Sequence, residues 1–189
     1  FDIQEEWNMK RKLLWITETA IMLALLVTLQ ALTKGFGQLV TGTCVNVVLA
    51  VSVLVGGWSI GLTVALISPV LAFLLNIAPM ALTVPAIMVG NAVYVLILWV
   101  VVGKRYNSVV MRMIAWLLAA FAKFGTLYGI VVKLICGVLA PSLLASGMMK
   151  EPMLKALPAT FSYPQLITAL IGGAVALVIV PGLRKALHK

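Results

Sequence analysis

The sequence predicts an all-α integral membrane protein, a bundle of six transmembrane helices with both termini in the cytoplasm. Hydrophobic residues make up 63% of the 189 positions, charged residues only 10%, and the mean hydropathy is +1.15. Soluble domains, by contrast, are about 45–50% apolar and about 25% charged. The apolar residues also fall into runs close to the roughly 20 residues that a hydrocarbon core requires, divided by Gly, Pro and charge. Finally, the basic residues sit beside those runs, so the net charge of +9 reads as membrane orientation rather than nucleic-acid binding. A chain of this length holds roughly five to seven such helices with short loops, which leaves no room for a soluble catalytic domain.

The first expected helix covers 13–33. Basic residues precede it, as in a signal peptide, but Glu18 interrupts the apolar run and no small-x-small cleavage site follows, so the helix is retained. Met9 followed by Lys10, Arg11 and Lys12 looks like a natural start. Residues 1–8 are then a short leader or a cloning remnant, and 9–189 form a single membrane domain. The break "TKGFGQLVTG" leads to a second helix at 42–56, and "GGWS" to a third at 59–77. "NIAPMALTVP" precedes a fourth at 84–103, and "GKRYNS" a fifth at 112–141. The fifth is too long for a straight crossing, so it must tilt, bend or project. The longer break "PSLLASGMMKEPMLKALPATFSYP" separates it from a sixth at 163–181. Cys44 and Cys136 lie in apolar surroundings and read as small buried hydrophobes, with no disulfide framework or metal spacing.

Of the fourteen Lys and Arg residues, nine fall on one side of this topology: Lys10, Arg11, Lys12, Lys104, Arg105, Arg112, Arg184, Lys185 and Lys189. Lys34, Lys150 and Lys155 fall on the other. The positive-inside rule assigns the richer side to the cytoplasm. Trp15, Trp58, Trp99 and Tyr106 then lie near the inner interface, where amphipathic rings are favoured.

The side-chain amides are one-sided. Gln30 is late in an outward-running helix and Asn76 ends another, while Asn46, Asn91 and Gln165 lie early in inward-running ones. All five fall in the outer half, Asn46 about 7 Å and Asn91 about 10 Å along their helices. A buried amide must find partners in hydrocarbon, either in other helices or in a ligand. As a set, these amides suit a polar pocket open to the outside for a small, water-soluble, hydrogen-bonding solute, rather than a continuous pore. Gly125, Gly129, Lys133 and Gly137 recur every four residues of the fifth helix. Such a stripe means close helix packing or space for a ligand, with Tyr128 and Lys133 beside it.

Catalytic sets are missing from the sequence. Its one histidine, His188, is at the terminus, and there is no H-E-x-x-H, G-x-S-x-G or P-loop motif. Glu18 is the only acid within a span, close enough to the inner side to pair with a cation such as Arg112. A proton-coupled carrier usually places a carboxylate at mid-depth. Uphill transport would therefore draw on ATP hydrolysed by another subunit. The chain is expected to be no enzyme and to hold no cofactor of its own.

The segments "ETAIMLALL", with Ala20 and Ala24 as an Ala-x-x-x-Ala pair, "TGTCVNVVLAVSVLVGGWSIGLTVALISPVLAFLLNIAP", "VPAIMVGNAVYVLIL" and "FSYPQLITALIGGAVALVIVPGLRKAL" carry a resemblance. Together with six spans, they are similar to a substrate-specific S component of an energy-coupling factor transporter, over nearly the whole chain from Met9. The resemblance implies a multi-pass protein of the bacterial cell membrane that binds a vitamin in an outward-facing pocket. It also implies a membrane T component and two ATP-binding cassette ATPases, which use ATP and Mg, as partners. Ala20 and Ala24 would take the T-component docking face, since two alanines one turn apart let another backbone approach closely. The remaining function classes are a stand-alone solute facilitator or carrier and, less in keeping with the missing catalytic set, an intramembrane enzyme.

The expected substrate is either pantothenate, whose carboxylate would pair with Lys123 or Lys133, or a pyridoxine- or hydroxymethylpyrimidine-like ring. The ring would use Asn46, Asn91, Tyr128 and Tyr163, and Gln165 is an expected substrate contact in either case. The two lysines lie about 15 Å apart along the helix and roughly 80° apart around it. With the span centred near Tyr128, Lys133 falls at the depth of the amides and is the expected ligand contact. Lys123 falls nearer the cytoplasmic half, where it would pair with Glu18 or a partner subunit. Snorkelling of each toward its own interface is the alternative for both.

Overall fold

The computed structural model describes residues 3–77, 80–102, 106 and 108–188, and among them it is helical without a strand. The helices are α1 (Ile3–Thr33), α2 (Gln38–Gly56), α3 (Trp58–Leu74), α4 (Val84–Val102), α5 (Val109–Leu127), α6 (Ala140–Ala145), α7 (Glu151–Phe161) and α8 (Tyr163–Ala186). The 3-10 turns Lys34–Phe36 and Ala81–Thr83 lead into α2 and α4, and α5 continues as a π-helix over Tyr128–Val138. Lys104, Arg105 and Lys189, three of the nine cations used to orient the chain, lie outside the described residues.

Helix α2 is the centre of the bundle. Its residues from Val48 to Val55 are buried without interruption, the mark of a helix apolar all round, and α1, α3, α4 and α8 pack around it. Helix α5 closes the group by packing on α4 and α8. Close approach of α8 rests on two glycines. A Cβ at Gly172 would lie 2.7 Å from Asn46 Cβ and 2.8 Å from the Thr43 carbonyl oxygen. One at Gly173 would lie 2.2 Å from Trp116 Cδ1. Trp116 uses the space so left to donate from Nε1 to the Leu170 carbonyl at 2.9 Å. At the opposite end from the α1–α2 turn, Arg184 donates to the Leu54 carbonyl at 2.8 Å. Its guanidinium and that of Arg112 lie 4.0 and 5.1 Å from the centre of the Tyr106 ring, which ties the ends of α2, α5 and α8 together.

Among the described residues, five helical stretches are long and apolar enough to cross a membrane: Gln4–Phe36, Gln38–Gly56, Ala81–Val102, Val109–Val138 and Glu151–Ala186. Helix α3 is apolar but has 17 residues, about 25 Å at 1.5 Å per residue. The outer surface agrees with a lipid environment, for large apolar side chains such as Ile21, Leu25, Val100, Val110 and Val178 are exposed.

Four expectations are corrected. The first helix does not begin at residue 13, because α1 runs without a break from Ile3, so residues 3–8 continue the helix into which Met9 falls. The long break before the last helix is not a loop either. Ala140–Ala145 and Glu151–Phe161 are helical, and Leu157 and Phe161 pack with Leu127, Val131, Ile135 and Met149 as a second small core. Three of the four prolines that suggest a break, Pro141, Pro152 and Pro164, stand at the first positions of α6, α7 and α8, where proline favours a helix start because its missing N–H has no intrahelical partner anyway, while Pro158 lies inside α7. Third, the glycine stripe of α5 packs against no other helix. Gly125, Gly129 and Gly137 are exposed, and a Cβ at Gly125 or Gly129 would meet no atom within 4 Å. Cys44 and Cys136 are half-buried rather than buried, and both are free thiols.

Candidate functional site

A cavity lies among the helix ends that gather beside the α1–α2 turn. Gln30 (α1), Asn46 (α2), Ser68 (α3), Asn91 (α4), Lys123 (α5), Phe161 (α7) and Gln165 (α8) all line it. Its volume is about 130 Å³, small beside the about 300–1,000 Å³ of clefts that enclose drug-sized ligands. None of the described lining residues is acidic.

Lys123 is the focus of the site. It is only 3% exposed, and its ammonium donates to Asn46 Oδ1 at 2.6 Å and Asn91 Oδ1 at 2.7 Å. It also stands 5.4 Å from the centre of the buried Tyr94 ring. A buried cation is costly unless it is hydrogen-bonded, and α2 and α4 together supply its cage. The amide of Asn46 is in turn held by its own donors, which reach the Gly42 carbonyl at 2.9 Å and Thr168 Oγ1 at 3.3 Å. Thr168 donates to the Gln165 carbonyl at 3.1 Å. Helix α8 therefore fixes the orientation of an amide on α2 that aims its oxygen at a lysine on α5.

Four of the five amides expected in one layer, namely Gln30, Asn46, Asn91 and Gln165, do line one cavity. Asn76 stands apart on an exposed turn with φ 54°, where its carbonyl accepts from Lys34 Nζ. The two lysines exchange places relative to expectation. Lys133 is exposed, and its ammonium rests 5.6 Å from the centre of the Tyr128 ring. The i→i+5 pattern of a π-helix relates these two residues, which are five apart. Lys123 instead joins the amides. Centring the span on Tyr128 pushes Lys123 inward, but the apolar stretch is Val109–Val138, and its midpoint falls beside Lys123. Measured from the end of the bundle where α4 stops and α5 starts, Lys123 is about 21 Å along α5 and Asn91 about 16 Å along α4. The two are within one turn of each other in depth.

Tyr128 and Tyr163 do not line the cavity. Tyr163 is 74% exposed, and both rings contact Phe124, at centroid distances of 5.7 and 6.4 Å. Ala20 and Ala24 are exposed on α1, whose buried side chains among those described are Thr19 and Leu26. Sequence reasoning missed Ser68, Thr168, Thr160 and Phe161. Ser68 had a usable signal, since it lies nine residues before Ile77 in an apolar segment, about 13 Å from its outer end and close to the depth of Asn91. Thr160 and Phe161 had none, because they belong to the segment read as a loop.

The assembly can bind and orient a polar solute. Its chemistry is a cation, several amides and hydroxyls, and an apolar wall from Val45, Pro69, Ala72 and Ile87. No family model matches the chain, and neither a curated protein nor a solved structure matches it.

Proposed function

We propose that the chain is a membrane subunit that captures a small water-soluble solute from outside and delivers it inward when docked on an ATP-driven coupling module, as an S component of an energy-coupling factor transporter does. The observation that carries this reading is the polar cluster of Lys123, Asn46 and Asn91 at a cavity that gathers at one end of the bundle. The proposed solute is a small vitamin such as pantothenate or pyridoxine. In this reading α3 makes the sixth crossing, short enough to thin the bilayer locally. Both termini and the Arg112–Tyr106–Arg184 cluster then face the cytoplasm of a bacterial cell, and the cavity faces out.

Ala20 and Ala24, exposed four residues apart on the peripheral α1, are the proposed docking face for the membrane T component. ATP and Mg belong to the two ATPase partners. Affinity purification from the native membrane should bring down a T component and two ATPases. Uptake by this chain alone, indifferent to loss of the ATPases, would instead indicate a stand-alone facilitator. Ala20→Trp should leave solute binding intact and abolish uptake by the assembled complex, and surviving uptake would place the docking face elsewhere. Asn91→Ala should weaken solute binding by on the order of 1 kcal/mol, one hydrogen bond, without preventing membrane insertion. Unchanged affinity would remove Asn91 from the site.

A further inference from the structure

Resting on the reading of this cavity as a solute site, we propose that its ligand is a small organic acid. Its carboxylate pairs with the Lys123 ammonium, and hydroxyl or amide N–H groups on its skeleton reach Gln30 and Ser68. The charge of the site argues for the acid. Lys123 is the one cation among the described lining residues, none of which is acidic. Two neutral amides accept from it, and their dipoles solvate a charge without cancelling it. An ammonium has three N–H groups. Two are spent on Asn46 and Asn91, which leaves one for a ligand.

The remaining polarity argues for donors on the same ligand. Gln30 Oε1 and Ser68 Oγ are buried and have no hydrogen-bond partner. Ser68 is 1% exposed, and buried polar atoms left unsatisfied are rare enough to need a cause. Serine and threonine elsewhere in these helices bond back to the carbonyl four residues earlier, as Ser52 does to Val48 and Thr63 to Ser59. Ser68 forms no such bond and lines the cavity. An amide oxygen only accepts, so the group that meets Gln30 Oε1 must donate. A cationic solute would be repelled by Lys123. A neutral ring would satisfy the amides and leave the charge uncancelled.

The test uses matched pairs that differ only in the acid: pantothenate against pantothenol, and 4-pyridoxic acid against pyridoxine. Binding of each to the full-length protein in lipid nanodiscs is measured by calorimetry. An acid should bind tighter than its alcohol by on the order of tenfold to a hundredfold, the range of a hydrogen bond to a charged group, and Lys123→Gln should erase that preference. An alcohol that binds as well as its acid overturns the inference and leaves the solute-site reading standing. Where neither pair binds, the solute released from wild-type protein decides. A released acid upholds the inference and a released neutral compound overturns it. Release of no solute at all removes both the inference and the reading beneath it.

Discussion

Lys123→Gln is expected to lower affinity for the captured solute by on the order of a hundredfold while the protein still inserts and keeps its helical content. The substitution removes the cation and retains a terminal amide that can donate to one of the two oxygens at Asn46 and Asn91, now 2.6 and 2.7 Å from the ammonium. Loss of a hydrogen bond to a charged group costs about 1.5–3 kcal/mol, and about 1.4 kcal/mol is tenfold in affinity. Lys133→Gln should change affinity by less than about twofold, because that side chain is exposed and rests against Tyr128, outside the cavity. Titration of the two variants side by side checks the contrast. Equal losses would mean that charge acts at long range and not through the Lys123 cage.

The second large effect belongs to α8. Gly172→Val is expected to destabilise the fold by about 1–3 kcal/mol, the range for overpacking, and to impair solute binding at the same time. A Cβ there would come within 2.8 Å of the Thr43 carbonyl oxygen and 3.1 Å of the Val47 amide nitrogen, both backbone atoms of α2 that cannot rotate away. Separation of the two helices would shift Asn46, whose Cβ lies 2.7 Å from the same point, and with it an acceptor of Lys123. Gly129→Ala, by contrast, meets open space and should fall within about 0.5 kcal/mol of wild type. Thermal unfolding in detergent, followed with and without solute, measures both. A Gly172→Val protein of wild-type stability would show that α8 does not depend on this contact.

These contrasts mark what could and could not be read from the residues alone. Hydropathy located α2 to α4, α5 together with its π-helical continuation, and α8 to within about one or two turns, because spanning helices are fixed by length and composition. The amide layer was legible as well: Gln30, Asn46, Asn91 and Gln165 share a depth, and depth follows from counting 1.5 Å per residue. Rotation about the helix axis did not follow. Gly125, Gly129 and Lys133 form a stripe on paper, yet which way a stripe faces is decided by neighbours that come from distant parts of the chain. For the same reason the small residues that matter most, Gly172 and Gly173, look no different in sequence from those that pack against nothing. The helices α6 and α7 were hidden by prolines whose role depends on whether they begin a helix or interrupt one. The depth of Lys123 was misjudged for a smaller reason. Ser108 caps α5 by accepting from the Met111 amide, so the helix starts at Val109, before Arg112, and its centre moves toward Lys123.

Native mass spectrometry of the intact protein, released from detergent in the gas phase, tests the central claim most directly. A solute-capturing subunit predicts a wild-type peak accompanied by one small molecule bound at a one-to-one ratio, an adduct that Lys133→Gln keeps and Lys123→Gln loses. A bare wild-type chain that also fails to take up any offered solute, or an adduct equally retained by Lys123→Gln, would contradict it.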